Sequence, residues 1–345
     1  MTDANRDKAS QMLHGPDALR HTQKDDLNSA RAMLDILLAE GVRYHPEYPP
    51  HGNSDHMPMT LCALYALGAD AASLISYRDD YAGILHQIEP QPSLENWRQH
   101  RGNMQAYPAL LSTMIERVEA QGIAASVSDV LPDLLPGMAV AAFHPLIRLG
   151  YGVSFNSPIE VAASLAYMAA RDIAVPVDLD KTVDLRAELN QQTFEPIPKP
   201  DENFAKGLSV LLANGQYPTG RVLDMQSCAS LSLDLYRSTR NFFALHMVTV
   251  TQAARVCAPY VDEAQLLAAL TGSLLAAHRI VGSPDFDPDT LAPVPDKLDR
   301  EHCYKYVYTC AVEYEAYADP RYLDEIKGFR QRGLVAPWAV AQSRP

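Results

Sequence analysis

Apolar residues recur along this chain at intervals of three and four, the spacing that gives a helix one continuous apolar stripe. Leu27, Ala30, Leu34, Leu37 and Leu38 make such a stripe from Leu27 to Ala39, and Gly41 follows as a stop. Met59 to Leu67 is apolar on nearly every side, which predicts a buried helix ended by Gly68. Further helices are predicted over Leu74 to Ile88, Leu110 to Val118, Leu146 to Tyr151, Ile159 to Ala170, Phe204 to Leu212, Leu231 to Val256, Ala264 to Ile280 and Cys303 to Ala316. Breaks are expected at Gly150-Tyr151-Gly152, Ser157-Pro158, Gly215, Pro259 and Gly282-Ser283-Pro284. Alternating β-branched stretches are short, Ile173 to Val177 being the best strand candidate. The expectation is an all-α protein: one large helical domain over residues 27–335, or two helical halves, with a buried metal site between helices. A polar segment (1–26) precedes it and a tail (336–345) follows. Of two proline-rich connectors, Ser283 to Pro295 and Phe194 to Asp201, the second either separates two halves or crosses the surface of one domain.

Four histidines interrupt these apolar stretches: His56, His144, His246 and His302. A buried imidazole needs a partner for each ring nitrogen. One such histidine is ordinarily a satisfied core residue; four on separate segments suggest a shared partner, and a transition metal is the commonest one. His56 follows three potential caps, Asn53, Ser54 and Asp55, and precedes Pro58, so it stands at a helix start. His144 precedes Pro145, which disfavours helical geometry at His144 and makes Pro145 the first helical residue. His246 reads as mid-helix, with Ala253 and Ala254 on its face and Thr249 as a hydrogen-bonding neighbour. His302 and Lys305 are three apart and share a helix face. For each alone a structural role stays open. His14, His21, His45, His86 and His100 are expected to be solvated, His51 lies in a loop as a surface or rim residue, and His278 is the reserve ligand.

Charge and cysteine usage narrow the classes. A formal net charge of −13 with no long basic run argues against nucleic-acid backbones and against a basic membrane anchor. No run of 18 apolar residues predicts a membrane span, and the start of the chain has no apolar signal region, so a soluble cytoplasmic protein is expected. The five cysteines form no C-x-x-C pair and are expected to be reduced. H-E-x-x-H, a repeated E-x-x-H, G-x-G-x-x-G, a P-loop and G-x-S-x-G are all absent.

Four segments taken together resemble the questin oxidase-like family. They are Asp55-His56-Met57-Pro58-Met59 with Ala63-Leu64, His144-x-x-Ile147-Arg148-x-Gly150, His246-x-Val248-Thr249 and Glu301-His302-x-x-Lys305. They fall in the family's order and span about residues 40 to 316. The resemblance implies a helical oxygenase that opens a ring of a phenolic or quinonoid polyketide, by C–C cleavage or Baeyer–Villiger-like oxygen insertion. It also implies mononuclear non-haem iron, molecular oxygen as co-substrate, and as ligands His56, His144, His246, His302 and a carboxylated Lys305. Asp55-His56 stands where the family usually has Asn-His, and His144-Pro145 where it has His-Gly.

The charge balance agrees with that ligand set. Four neutral imidazoles leave the +2 of a ferrous ion uncompensated in an apolar site. A CO2-derived carbamate on Lys305 would supply one negative charge, whereas an unmodified ammonium would repel the metal. Lys305 is therefore either modified or not a ligand. Tyr151 and Arg148 are the candidate catalytic residues, Arg148 pairing with an anionic substrate or with a neighbouring carboxylate. Tyr65, Phe143, Tyr151, Tyr304 and Tyr308 would line a pocket for a planar aromatic substrate. The partners expected are an aromatic small molecule and a second copy in a homodimer; NADPH as electron source is left open. Two other classes compete. A metal-dependent hydrolase with a carbamylated lysine would need an added acid, for which Asp55, Asp299 or Glu301 is available. A metal-free helical module would use the histidines structurally.

Overall fold

The computed structural model describes residues 23–50, 52–189, 204–284, 287, 289–337 and 339. The connector Phe194 to Asp201, His14, His21, His51, and most of the predicted first segment and tail lie outside the described residues. The protein is all-α. Its helices are α1 (Gln23–Gly41), α2 (Met57–Ala66), α3 (Ala71–Ala82), α4 (Tyr107–Leu134), α5 (His144–Ser154), α6 (Pro158–Arg171), α7 (Leu185–Leu189), α8 (Phe204–Ala213), α9 (Met225–Thr239), α10 (Phe242–Cys257), α11 (Glu263–Ile280), α12 (Arg300–Tyr317) and α13 (Pro320–Gln331). Strand is limited, among the described residues, to two-residue pieces at Glu47–Tyr48 and Asn53–Ser54. Among the described residues no helix is long and apolar enough to cross a membrane. All five cysteines are buried and none is in a disulfide.

The chain forms two compact units. One comprises Met1–Pro49, Asp55–Gln87 and Val294–Pro345; the other comprises Pro50–Ser54 and Ile88–Pro293. The first unit packs α1, α3 and α12 around α2. Every residue of α2 is buried, as expected for a helix with no polar face. The stripe of α1 supplies Ala30, Leu34, Leu37 and Leu38 to this core. Helix α3 starts at Asp70, whose side chain accepts from Ser73 N, and stops at Gly83, short of the predicted Ile88. Beyond Gly83 the chain turns, Ile84 N bonding to Tyr81 O, and Gln87 pairs with Tyr44 as an isolated bridge.

In the second unit α5 packs against both α6 and α10, while α4 lies along α6 and α9 along α10. Three expectations fail here for local reasons. Leu231 to Val256 is two helices, because Arg240 turns left-handed (φ 52°) and Asn241 caps a new helix, its Oδ1 accepting from Phe243 N and Ala244 N at 2.9 and 3.3 Å. The predicted Leu110 to Val118 extends across Tyr107–Leu134, with a kink at Gly122 (φ 80°). Ile173 to Val177 is irregular and not a strand.

Gly150 and Gly152 do not break α5 either. They are the close-approach points of the unit. A Cβ on Gly150 would stand 2.7 Å from Ala253 Cβ, and one on Gly152 would stand 2.9 Å from the Val161 backbone nitrogen. Glycine is thus required by the contact with a neighbour and not by a turn. Gly150→Ala is expected to destabilise the protein by about 1–3 kcal/mol, read as a lowered urea midpoint. An unchanged midpoint would refute the close packing of α5 on α10.

Candidate metal centre

In the first unit His56 is the N-cap of α2, followed by Met57 and Pro58. Its backbone is held from two sides, and that of Met57 from a third. Tyr81 OH accepts from His56 N at 3.1 Å, Thr60 Oγ1 donates to His56 O at 2.9 Å, and Asp55 Oδ1 accepts from Met57 N at 2.8 Å. Helix α12 presents His302 and Lys305 one turn apart, both buried. The His56 and His302 rings meet edge-on with centroids 4.6 Å apart. The Lys305 amine and His56 Nδ1 are hydrogen-bonded at 2.8 Å. Lys305 is only 2% exposed, and burial pulls its amine down to about 7, against the smaller opposing fields of Glu301, Asp55 and Asp299. A lysine on a plain surface helix would keep its ordinary value, so the pair is a built feature of the interior. Of the acids considered for a hydrolase, Asp55 is buried. Asp299 is exposed and Glu301 half-buried, and their oxygens lie within 4.8 Å of each other and of a His302 ring nitrogen.

In the second unit His144 and His246 come together, ring centroids 4.8 Å apart. Each Nδ1 lies against a main-chain carbonyl, His144 on Ala141 O at 2.6 Å and His246 on Phe242 O at 2.9 Å. A carbonyl only accepts, so both Nδ1 atoms carry a proton, and in a neutral ring the lone pair is then on Nε2. His144 is helical (φ −53°, ψ −40°) in spite of Pro145, contrary to expectation. The three residues before it, Ala141, Ala142 and Phe143, are left-handed at φ 47°, 51° and 70°. That geometry costs a non-glycine residue roughly 1–2 kcal/mol, and by absorbing the turn it delivers His144 directly into α5. His246 is the fifth residue of α10, and so lies near a helix start and not in mid-helix. The Phe242 ring stands edge-on to it at 4.9 Å.

Arg148, one turn after His144, is clamped by Glu160 of α6. Its Nε and Nη2 donate to the two carboxylate oxygens at 2.6 and 3.1 Å, with both side chains buried. Of the two roles considered for Arg148, the neighbouring carboxylate is the one present. Glu160 was missed although its signal was there: Ser157-Pro158-Ile159-Glu160 has capping-box spacing, and Ser157 Oγ accepts from Glu160 N. Here the glutamate reaches Arg148, joining α5 to α6. Tyr151 is buried and stacks on Phe155. His278 is in neither pair; its ring Nε2 contacts Pro284 O at 3.2 Å. Thr249 bonds its own helix at His246 O. His86 is exposed, while His45 and His100 are half-buried and not fully solvated.

The donor chemistry suits a divalent metal. Ring nitrogens whose opposite N–H is tied to a carbonyl are oriented as metal-ligating histidines are, and imidazole suits iron and its neighbours in the first transition row. A low-affinity amine proton on Lys305 leaves the nitrogen open to carboxylation.

Residues 53–216 match the model of the family described as questin oxidase-like. Over that span the chain is similar to that family. The chain is 26% identical over 161 residues to the Baeyer-Villiger oxidase ptaJ of Pestalotiopsis fici, covering 42% of this chain and 36% of that protein. It is 25% identical over 183 residues to the Baeyer-Villiger monooxygenase dmxR6 of Cryptosporiopsis sp., covering 48% and 40%. It is 23% identical over 181 residues to a questin oxidase of Aspergillus terreus, covering 48% and 41%. The alignments thus span about two fifths of the length of these curated relatives. The questin oxidase-like span contains His56, His144, Arg148 and Tyr151; His246, His302 and Lys305 lie beyond it.

Two outcomes follow from these geometries. In metal-free protein Lys305 is taken from 10.5 to about 7 on folding. Between those values the unfolded chain binds the extra proton, so stability rises with pH across the window, and below it the cost of burying the cation is complete. Lys305→Met removes that cost. The variant is expected to be the more stable at neutral pH, and its advantage should shrink by on the order of 4 kcal/mol towards pH 10.5. Parallel stability curves would contradict the burial of the amine. Separately, Glu160→Gln should cost about 3–5 kcal/mol by removing the counter-charge of a buried guanidinium, and Arg148→Met with Glu160→Met should restore most of it. Urea titration of the single and double variants reads both.

Proposed function

We propose that this protein is a non-haem iron-dependent oxygenase that uses molecular oxygen on a phenolic or quinonoid, polyketide-like substrate, opening a ring by C–C cleavage or Baeyer–Villiger-like oxidation. The ligands we propose are His56, His144, His246, His302 and Lys305, with Lys305 as a carbamate. The observation that carries this reading is the buried Lys305 amine 2.8 Å from His56 Nδ1. A hydrogen bond to a neutral imidazole repays little of the cost of burying a cation. An amine lowered to about 7 has a substantial neutral fraction near neutral pH, and that neutral form adds to CO2, forming an N–C bond and releasing one proton. The resulting anion offsets one charge of a divalent ion among neutral imidazoles. The printed names of the relatives, Baeyer-Villiger oxidase and questin oxidase, support the reaction class.

Iron, when bound, supplies the one-electron chemistry through which molecular oxygen reacts with a spin-paired organic substrate. The protein's own contribution is positional and electrostatic. The carbonyls of Ala141 and Phe242 hold two imidazoles in one tautomer. Arg148 acts through Glu160 to fix α5, so it is a positioning residue. Tyr151 is seven residues after His144, on the same helix face, and is the candidate to touch the substrate. The apolar surroundings of the histidines exclude water, which would otherwise weaken every electrostatic contact.

Elemental analysis of full-length protein tests the reading. About one equivalent of iron per chain is expected, with His246→Ala and His302→Ala losing it and His86→Ala keeping it. Less than about a tenth of an equivalent of any transition metal after anaerobic reconstitution, with turnover indifferent to chelators, would sink it. Loss of metal in His278→Ala but not in His302→Ala would reassign the ligands.

A further inference from the structure

The left-handed run Ala141-Ala142-Phe143 is the most unusual backbone in the described chain, three successive non-glycine residues at positive φ. It is not a surface irregularity. Ala142 and Phe143 are buried, and the Phe143 ring packs on Phe204 at 5.9 Å. It runs straight into His144, which is right-handed although a proline follows. Strain of this kind persists only where the surrounding packing over-determines it, and it clusters at functional sites. Its visible product is one contact. The turn brings the Ala141 carbonyl back under the His144 ring, three residues on, to accept from Nδ1 at 2.6 Å.

We infer that the left-handed turn 141–143 is a tautomer lock: it places the Ala141 carbonyl so that His144 is protonated on Nδ1 and offers the Nε2 lone pair. Ala141, Ala142 and Phe143 are then positioning residues that act through His144. An extended or right-handed turn would carry the carbonyl away and free the ring to exchange tautomers and rotate. His246 obtains the same tautomer without such a turn, because the carbonyl of Phe242, one helical turn back, is already beneath its ring. His144 opens its helix and has no preceding right-handed turn to use. The strained turn supplies the acceptor that a helix interior gives without cost.

The inference deepens the proposed role of His144 as a ligand, and it is tested in two separate arms. Long-range nitrogen–proton correlation spectra of ring-labelled histidine in metal-free, full-length protein, assigned with His144→Gln, report the tautomer directly. Nδ1–H is expected in wild type and in Ala142→Gly, where glycine accepts the left-handed region. Ala142→Val puts a β-branched residue at positive φ and should mix in the Nε2–H tautomer. In the second arm Co2+ alone, followed by its visible absorption, should bind Ala142→Val about tenfold or more weakly than wild type. An Nε2–H signal in wild type, or an unchanged tautomer in a folded Ala142→Val, overturns the lock. If Ala142→Val does not fold, the wild-type tautomer decides alone. The expected tautomers with no Co2+ binding by wild type would uphold the lock and remove His144 from the ligand set.

Discussion

A cationic amine does not stay in an apolar interior unless something there repays the lost hydration. Lys305, 2% exposed, with His56 Nδ1 as the hydrogen-bond partner of its amine among the described residues, sets that constraint for the unit that holds it. Its hydrogen bond to His56 links α12 to the start of α2. The start of α2 is accordingly tied down by Asp55, Tyr81 and Thr60. Burial moves the amine towards neutrality, and neutrality makes it a nucleophile for CO2. A structural liability and a chemical opportunity are the same fact.

The second unit solves a different problem, that of orienting two rings through main-chain acceptors. Both histidines lean on main-chain carbonyls, and the helices that carry them touch through glycine and alanine. Bringing α5 against α10 leaves no room for a Cβ at Gly150. Joining α5 to α6 uses an ion pair buried enough that neither partner is expendable.

Much of this was legible in the sequence. Periodicity gave the all-α class, and the stripe of α1 and the all-apolar α2 are buried as their patterns required. The four histidines are all interior, as their apolar neighbours implied, and so is Lys305. What stayed hidden depended on contacts between segments distant in sequence. Gly150 and Gly152 carry the composition of a break, and only the positions of Ala253 and Val161 reveal them as packing residues. The division between α9 and α10 rests on Asn241 as a cap, a one-residue signal inside a long helical pattern. The turn at Ala141 to Phe143 has no sequence marker, because alanine and phenylalanine are not residues that favour positive φ.

The main-chain acceptors under His144 and His246 have an evolutionary side. A carbonyl oxygen belongs to the peptide and not to the residue, so no single side-chain truncation at 141 or 242 deletes it. An alanine scan would leave both carbonyls in place, and Ala141 is already alanine. The groups that orient these two rings can thus persist while the side chains around them drift. Comparison of side-chain identities among related chains would underestimate how tightly the pair is held.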